Sequence, residues 1–129
     1  MNRRLNAFTI VELLVVVLVL SILLLTALPG YAQSLRSSRH AVANQNAKAV
    51  LKAVQSLYAR LGGVDYADPR IDRVAIQVEL GGQVPTNPCT GGNELSDYGL
   101  ERSATTASVR ARSGGLCDPT ALSTFRLGG

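Results

Sequence analysis

From Phe8 to Leu28 the chain is almost uninterrupted hydrocarbon, and that one stretch limits what everything after it can become. Between Leu13 and Leu28 only Ser21 and Thr26 are polar, and no residue is charged. With Phe8 to Glu12 included, a helix of about 21 residues rising roughly 1.5 Å per residue reaches on the order of 30 Å, the thickness of a bilayer core. The segment can therefore span a membrane. Its exception is Glu12, a carboxylate at the head of the run, five residues beyond the leader Met1 to Ala7 that carries Arg3 and Arg4. An ionised side chain among lipid tails costs several kcal/mol, so the position calls for a positive partner.

The short basic leader, followed by Phe8-Thr9-Ile10-Val11-Glu12 and a long apolar helix, closely resembles the class III signal of type IV pilins and type II secretion pseudopilins. The resemblance implies cleavage between Ala7 and Phe8 by a membrane aspartyl peptidase, the prepilin peptidase, and N-methylation of Phe8. It also implies that Glu12 pairs with the N-terminal amine of a neighbouring copy during filament assembly. Physical chemistry points the same way. Once the leader is removed, the new amine and Glu12 occupy one apolar layer and can neutralise their counterparts on adjacent copies, a device for register more than for net stability. Left uncut, the amine stays behind Arg3 and Arg4, so processing would switch a membrane precursor into a filament subunit.

Some positions depart from the family pattern. Ala7 stands where Gly is usual before the cut, and Ser21 where many pilins have a helix-loosening Gly. Pro29 matches the family's first proline, and its missing backbone donor predicts a kink or break. The second proline of some pilins would fall at Ala49; its absence predicts a straighter second half.

An ordinary secretory signal peptide is the alternative for this N-terminus. Arg3 and Arg4 would form its basic region, Leu13 to Leu25 its apolar region, and Gly30-Tyr31-Ala32 a small-residue cleavage site before Gln33. Against it stand the acid at the head of the run and an apolar stretch longer than the usual 7 to 15 residues, both flanking features a signal peptide does not need. Charge does not settle orientation, because Arg3 and Arg4 precede the span while Arg36, Arg39 and Lys48 follow it closely. The resemblance places the leader in the cytoplasm.

The reading thus divides the chain into a leader (1–7), a transmembrane and filament-core half-helix (8–28), and a globular domain (29–129) that includes the second half of the helix. About 100 residues beyond the span suffice for one small domain. Ala43, Ala47, Val50, Val54, Leu57 and Leu61 recur at three- and four-residue spacing, with Leu51 and Tyr58 beside them, and describe one apolar helix face. Gly62-Gly63 ends it. The expectation is a helix from Phe8 to Leu61, bent near Pro29. Beyond a loop at Asp65 to Pro69, the alternation of Val74, Ile76, Val78 and Leu80 predicts a strand. Further strands are expected at Tyr98 to Arg102, Thr105 to Arg112 and Leu122 to Leu127. Strands following one long helix argue for an α+β fold, the helix packed on a small antiparallel sheet.

Cys89 and Cys117 fall in the part that this topology exports. In an extracytoplasmic domain such a pair favours a disulfide over a metal site, which needs more ligands than His40, distant in sequence, would add. Their position resembles the C-terminal disulfide loop of type IV pilins, whereas major secretion pseudopilins generally lack the bridge. Free thiols remain the alternative.

Nothing in the spacing assembles a catalytic set. His40 is the only histidine, no phosphate-binding glycine motif is present, and Asp65, Asp68 and Asp72 lack EF-hand spacing. No enzyme activity, cofactor or metal is expected, a loop calcium site being a minor alternative. Arg36, Arg39, Lys48, Lys52 and Arg60 form a basic helix stretch with no acid between Glu12 and Asp65. It reads as a solvated face or a set of partners for neighbouring acids; DNA phosphates are the sharper alternative. Arg102, Arg110 and Arg112 form a second group for exposed contacts.

The functional expectation is a structural subunit of a type IV pilus or pilus-like filament. Its partners would be other copies of itself, the prepilin peptidase, an inner-membrane pilus assembly platform, and membrane lipid before assembly. It would begin as a single-pass inner-membrane precursor and end in an extracellular or periplasmic filament. A type II secretion pseudopilin is the first alternative and a secreted soluble binding domain the second.

Overall fold

A computed structural model of the chain describes residues 8–128. The leader Met1 to Ala7, and with it the Ala7 side of the expected cleavage position, lies outside the described residues. The chain divides into two compact units, residues 1–35 and 36–129.

One helix, α1 (Ile10–Arg60), provides nearly all the described structure of the first unit and the opening of the second. It starts two residues later than the hydropathy pattern predicts because Thr9 acts as its N-cap. The Thr9 hydroxyl oxygen accepts the Glu12 amide hydrogen at 3.2 Å, and the Thr9 carbonyl accepts that of Leu13 at 3.2 Å. Helical residues continue through Pro29 without interruption. At the far end, the Gly62 amide bonds to the Ala59 carbonyl at 3.3 Å and the Gly63 amide to the Tyr58 carbonyl at 2.9 Å. That pair of bonds is a Schellman closure, and it requires the positive φ of 99° that Gly62 adopts.

In the second unit, α1 contributes Ala43, Ala47, Val50, Leu51, Ala53 and Val54 to the core, with Leu57, Tyr58 and Leu61 packed at its margin. All but Ala53 belong to the face anticipated from spacing. Fully burying each valine or leucine contributes about 1.5–3 kcal/mol before ordering costs, so this short stretch anchors the domain. Tyr58 also stacks on Tyr66, with ring centroids 3.8 Å apart.

The segment expected as a first strand, Val74 to Leu80, is instead a helix, α2 (Arg73–Glu79). Its alternating apolar residues satisfy two periodicities at once, since Ile76 and Leu80 are also one helical turn apart, as are Val74 and Val78. The ends decide between them. Asp72 caps the start by accepting the Ala75 amide at 2.7 Å. Gly81 and Gly82 repeat the Schellman closure of α1, bonding to Val78 at 3.0 Å and Gln77 at 2.9 Å. Ile76 is buried in the core and the two valines are exposed. The Ser56 hydroxyl donates to Glu79 at 2.6 Å and Arg60 pairs with the same carboxylate at 3.2 Å, which fastens α2 to α1.

A three-stranded antiparallel sheet follows in the order β1 (Tyr98–Arg102), β2 (Thr106–Ala111), β3 (Phe125–Gly128). The first two strands fall where the sequence predicts them. The last begins three residues late. Before it, Leu122 is buried behind a 3-10 turn at Pro119–Ala121, and Asn44 of α1 accepts the Ser123 amide at 2.9 Å. In register, Leu100, Val109 and Phe125 share one face with Ala107 and Leu127, and Glu101, Ser108 and Arg126 form a row on the other. The first face meets the apolar residues of α1 in a single core. The fold is α+β, with a long N-terminal helix and a small antiparallel sheet.

Candidate assembly site and its scaffold

The first unit places its chemistry at one point. None of the 18-residue window that gives α1 a mean hydropathy of 3.0 is buried within the chain. Ser21 donates its hydroxyl to the Val17 carbonyl at 2.7 Å, and Thr26 to the Leu23 carbonyl at 2.9 Å. Both hydroxyls of the apolar run are thus satisfied within the helix. Glu12 is not. Its amide is held by Thr9, but its carboxylate makes no hydrogen bond or ion pair among the described residues. Its place in the first helical turn sets a negative charge against the exposed amides of the helix start, a favourable position. Phe8, the residue that follows the expected cut, is 77% exposed.

In the second unit Cys89 and Cys117 form a disulfide, their Cα atoms 5.2 Å apart. Both are buried. The bridge works with Asn87, which is fully buried and which the sequence reading did not single out. The Asn87 amide donates to the Asp97 carbonyl at 2.9 Å and the Arg112 carbonyl at 3.0 Å, while its oxygen accepts the Cys89 amide at 2.9 Å. One side chain therefore ties the disulfide loop to the entry of β1 and the exit of β2. An Asn-Pro-Cys run in a loop was the available signal, since Asn commonly bonds to backbone nearby.

His40 is structural: it accepts the Asp118 backbone amide at 3.1 Å through Nε2. Asn44, one turn further, donates to the Ala121 carbonyl at 3.1 Å, and Lys48, another turn on, sits 4.9 Å over the Phe125 ring. This polar column on α1 holds the segment that leads from Cys117 into β3.

Within the expected arginine group, Arg112 shares a cleft with each of the other two. Arg102 donates to the Tyr66 carbonyl at 3.0 Å, and Arg110 donates to the Pro119 carbonyl. Arg110 and Arg112 line one cleft of about 510 Å³, and Arg102 and Arg112 line another of about 440 Å³. Tyr98 donates its hydroxyl to the Pro85 carbonyl at 2.7 Å, and burial pushes its pKa up to about 12. No cluster of three metal-ligating side chains occurs among the described residues.

Residues 2–28 match the model of the prokaryotic N-terminal methylation motif. The N-terminal segment is prepilin-like. The motif is the hallmark of type IV pilins and pseudopilins, which are structural subunits and not enzymes. No curated protein and no solved structure is significantly similar to the chain. This prepilin-like segment covers Phe8, Glu12 and the apolar run, and a pilin-like α+β layout follows it.

Proposed function

We propose that this chain is a structural subunit of a type IV pilus or pilus-like filament, processed by a prepilin peptidase and polymerised through its apolar half-helix. The observation that carries the reading is Glu12. It is the carboxylate of a methylation motif, its backbone is capped, and its side chain has no partner among the described residues. Cleavage before Phe8 would create a cation four residues away, and the two groups would neutralise each other between copies as the half-helices pack. Pro29 would kink α1 where it leaves the apolar run, because a proline there lacks the amide that a straight helix needs. Other partners would be the inner-membrane assembly platform and, before assembly, lipid.

A type II secretion pseudopilin shares the same N-terminus. The Cys89–Cys117 bridge favours the pilin, because its place resembles the C-terminal disulfide loop of pilins.

Mass spectrometry of the protein from its native host tests the reading. An N-methyl Phe8 terminus is the expected result, with surface filaments visible by microscopy. A terminus at Gln33 would remove Glu12 and leave a secreted soluble domain. Processing at Phe8 with only short periplasmic assemblies would favour the pseudopilin.

A further inference from the structure

Gly99 lies within β1 with no conformational need for glycine, since its φ is not positive and its strand pairing is regular. A Cβ there would meet one atom within 4 Å, the Arg110 carbonyl oxygen at 3.6 Å, which is an ordinary contact. Backbone and space would both admit a side chain. A glycine so placed weakens a strand and commonly marks a position that something else approaches closely.

The missing side chain opens the cleft of about 510 Å³. Gly99 pairs with Arg110, and Arg110 alternates with buried Val109 and Ala111, so both belong to the sheet face turned away from the core. Arg110 and Arg112 line the cleft, and among the described residues no acid does. The Pro119 carbonyl takes one donor of Arg110 and so fixes its guanidinium. The Arg112 side chain borders the neighbouring cleft as well, where Glu101 lies, without pairing with it. Ser113 and Gly114 form the adjoining wall. The Ser113 hydroxyl and the amides of both residues have no partner among the described residues. A Cβ on Gly114 would lie 2.5 Å from the Cys89 carbonyl, so this turn rests directly on the disulfide loop. Unpaired cations occur elsewhere on the domain, but here two of them share a glycine-floored cleft with free hydroxyl and amide donors. Successive amides in a turn make an anion-binding concavity.

We propose that this cleft is a binding site for the phosphate group of a small phosphomonoester. Charge and donor number select that class. A phosphomonoester carries about −1.5 to −2 charge at neutral pH and three terminal oxygens, which matches two arginines and the donors beside them. A carboxylate offers a single charge and two oxygens. Arginine forks hold phosphate oxygens bidentately, and the bare backbone at Gly99 gives the ligand its room. The site belongs to the globular domain and does not depend on how the half-helix assembles.

Calorimetric titration of the full-length chain in a phosphate-free detergent tests the site, with glycerol phosphate, inorganic phosphate, acetate and a single-stranded oligonucleotide as probes. Glycerol phosphate should bind saturably with a Kd of about 1 mM or tighter, inorganic phosphate competing with it and acetate failing to. Gly99→Val should abolish binding while leaving thermal unfolding unchanged or shifted upward, because valine favours a strand. Arg112→Gln should weaken binding about tenfold or more through the loss of charge-assisted bonds. That side chain holds nothing else in the fold, so its variant separates binding from folding. Absence of saturable glycerol phosphate binding would overturn the site, as would binding that survives both substitutions. Equal binding of acetate would overturn the phosphate assignment in favour of a carboxylate. Binding of the oligonucleotide alone would overturn it in favour of a nucleic acid backbone.

Discussion

Thr9 and Glu12 meet at the start of α1 through a single hydrogen bond, the Glu12 amide donating to the Thr9 hydroxyl oxygen at 3.2 Å. The bond secures the backbone of Glu12 without occupying its carboxylate. The helix start is therefore ordered independently of whatever the carboxylate pairs with, and the acid is presented from a defined first turn.

Replacing Glu12 separates these two roles. Glu12→Ala retains the cap and the apolar run, so membrane insertion should be unchanged while incorporation into filaments falls by about tenfold or more, as expected when one partner of a desolvated pair is removed. Membrane fractionation and immunoblotting of sheared filaments measure the two quantities separately. Normal assembly of the variant would count against charge pairing.

The disulfide closes a loop across a sequence separation of 28. For a loop of that length, the chain-entropy relation predicts a loss of roughly 3.6 kcal/mol when the bridge is removed. The double substitution Cys89→Ser and Cys117→Ser should show that loss in denaturant titration of the full-length chain in detergent, read by a probe in the domain. A change below about 1 kcal/mol would mean that the loop is held by its other contacts.

Asn87 should matter to a similar degree. Asn87→Ala leaves the Asp97 and Arg112 carbonyls and the Cys89 amide without that partner in a buried site. The Asp97 carbonyl keeps the Arg112 amide at 3.0 Å, while the Arg112 carbonyl and the Cys89 amide lose their partner at about 1–3 kcal/mol each, so a destabilisation of about 2 kcal/mol or more is expected in the same titration. Asn87→Asp should not rescue it, since a carboxylate cannot donate to two carbonyls.

Asp68 and Arg70 provide a test by pH. Hydrogen bonds from the Arg70 side chain and backbone hold the Asp68 carboxyl at about 2, below its ordinary 3.8. A depressed carboxylate pKa contributes stability at pH values above the ordinary one and loses it as pH falls through about 2. Arg70 is exposed and Asp68 half-buried at the surface, so solvent screens the pair and the readout is the titration itself. NMR of the Asp68 carboxyl should show the low midpoint, and Arg70→Gln should move it back toward the ordinary value.

Much of the fold is legible because the relevant signals are local. The apolar run, the amphipathic face from Ala43 to Leu61 and the closing glycines all act within one or two helical turns. Tyr98–Arg102 and most of Thr106–Ala111 likewise alternate clearly. α2 misleads because Val74, Ile76, Val78 and Leu80 fit a strand or a helix equally, and in seven residues only the caps can decide. Leu61-Gly62-Gly63 and Leu80-Gly81-Gly82 carry the same stop signal, and each closes a helix with the same pair of bonds.

The sequence alone determined the membrane-length half-helix, the isolated acid at its head and the prepilin-like character of the N-terminus, because each depends on residue type and short-range spacing. Only the tertiary structure decided that Asn87 is a hub, that His40, Asn44 and Lys48 strap down the segment before β3, and that Glu101 lies across the sheet from Arg126. Those relationships join residues far apart in the chain. They exist because strand register and helix docking bring particular backbone groups and charges together, which no local pattern encodes.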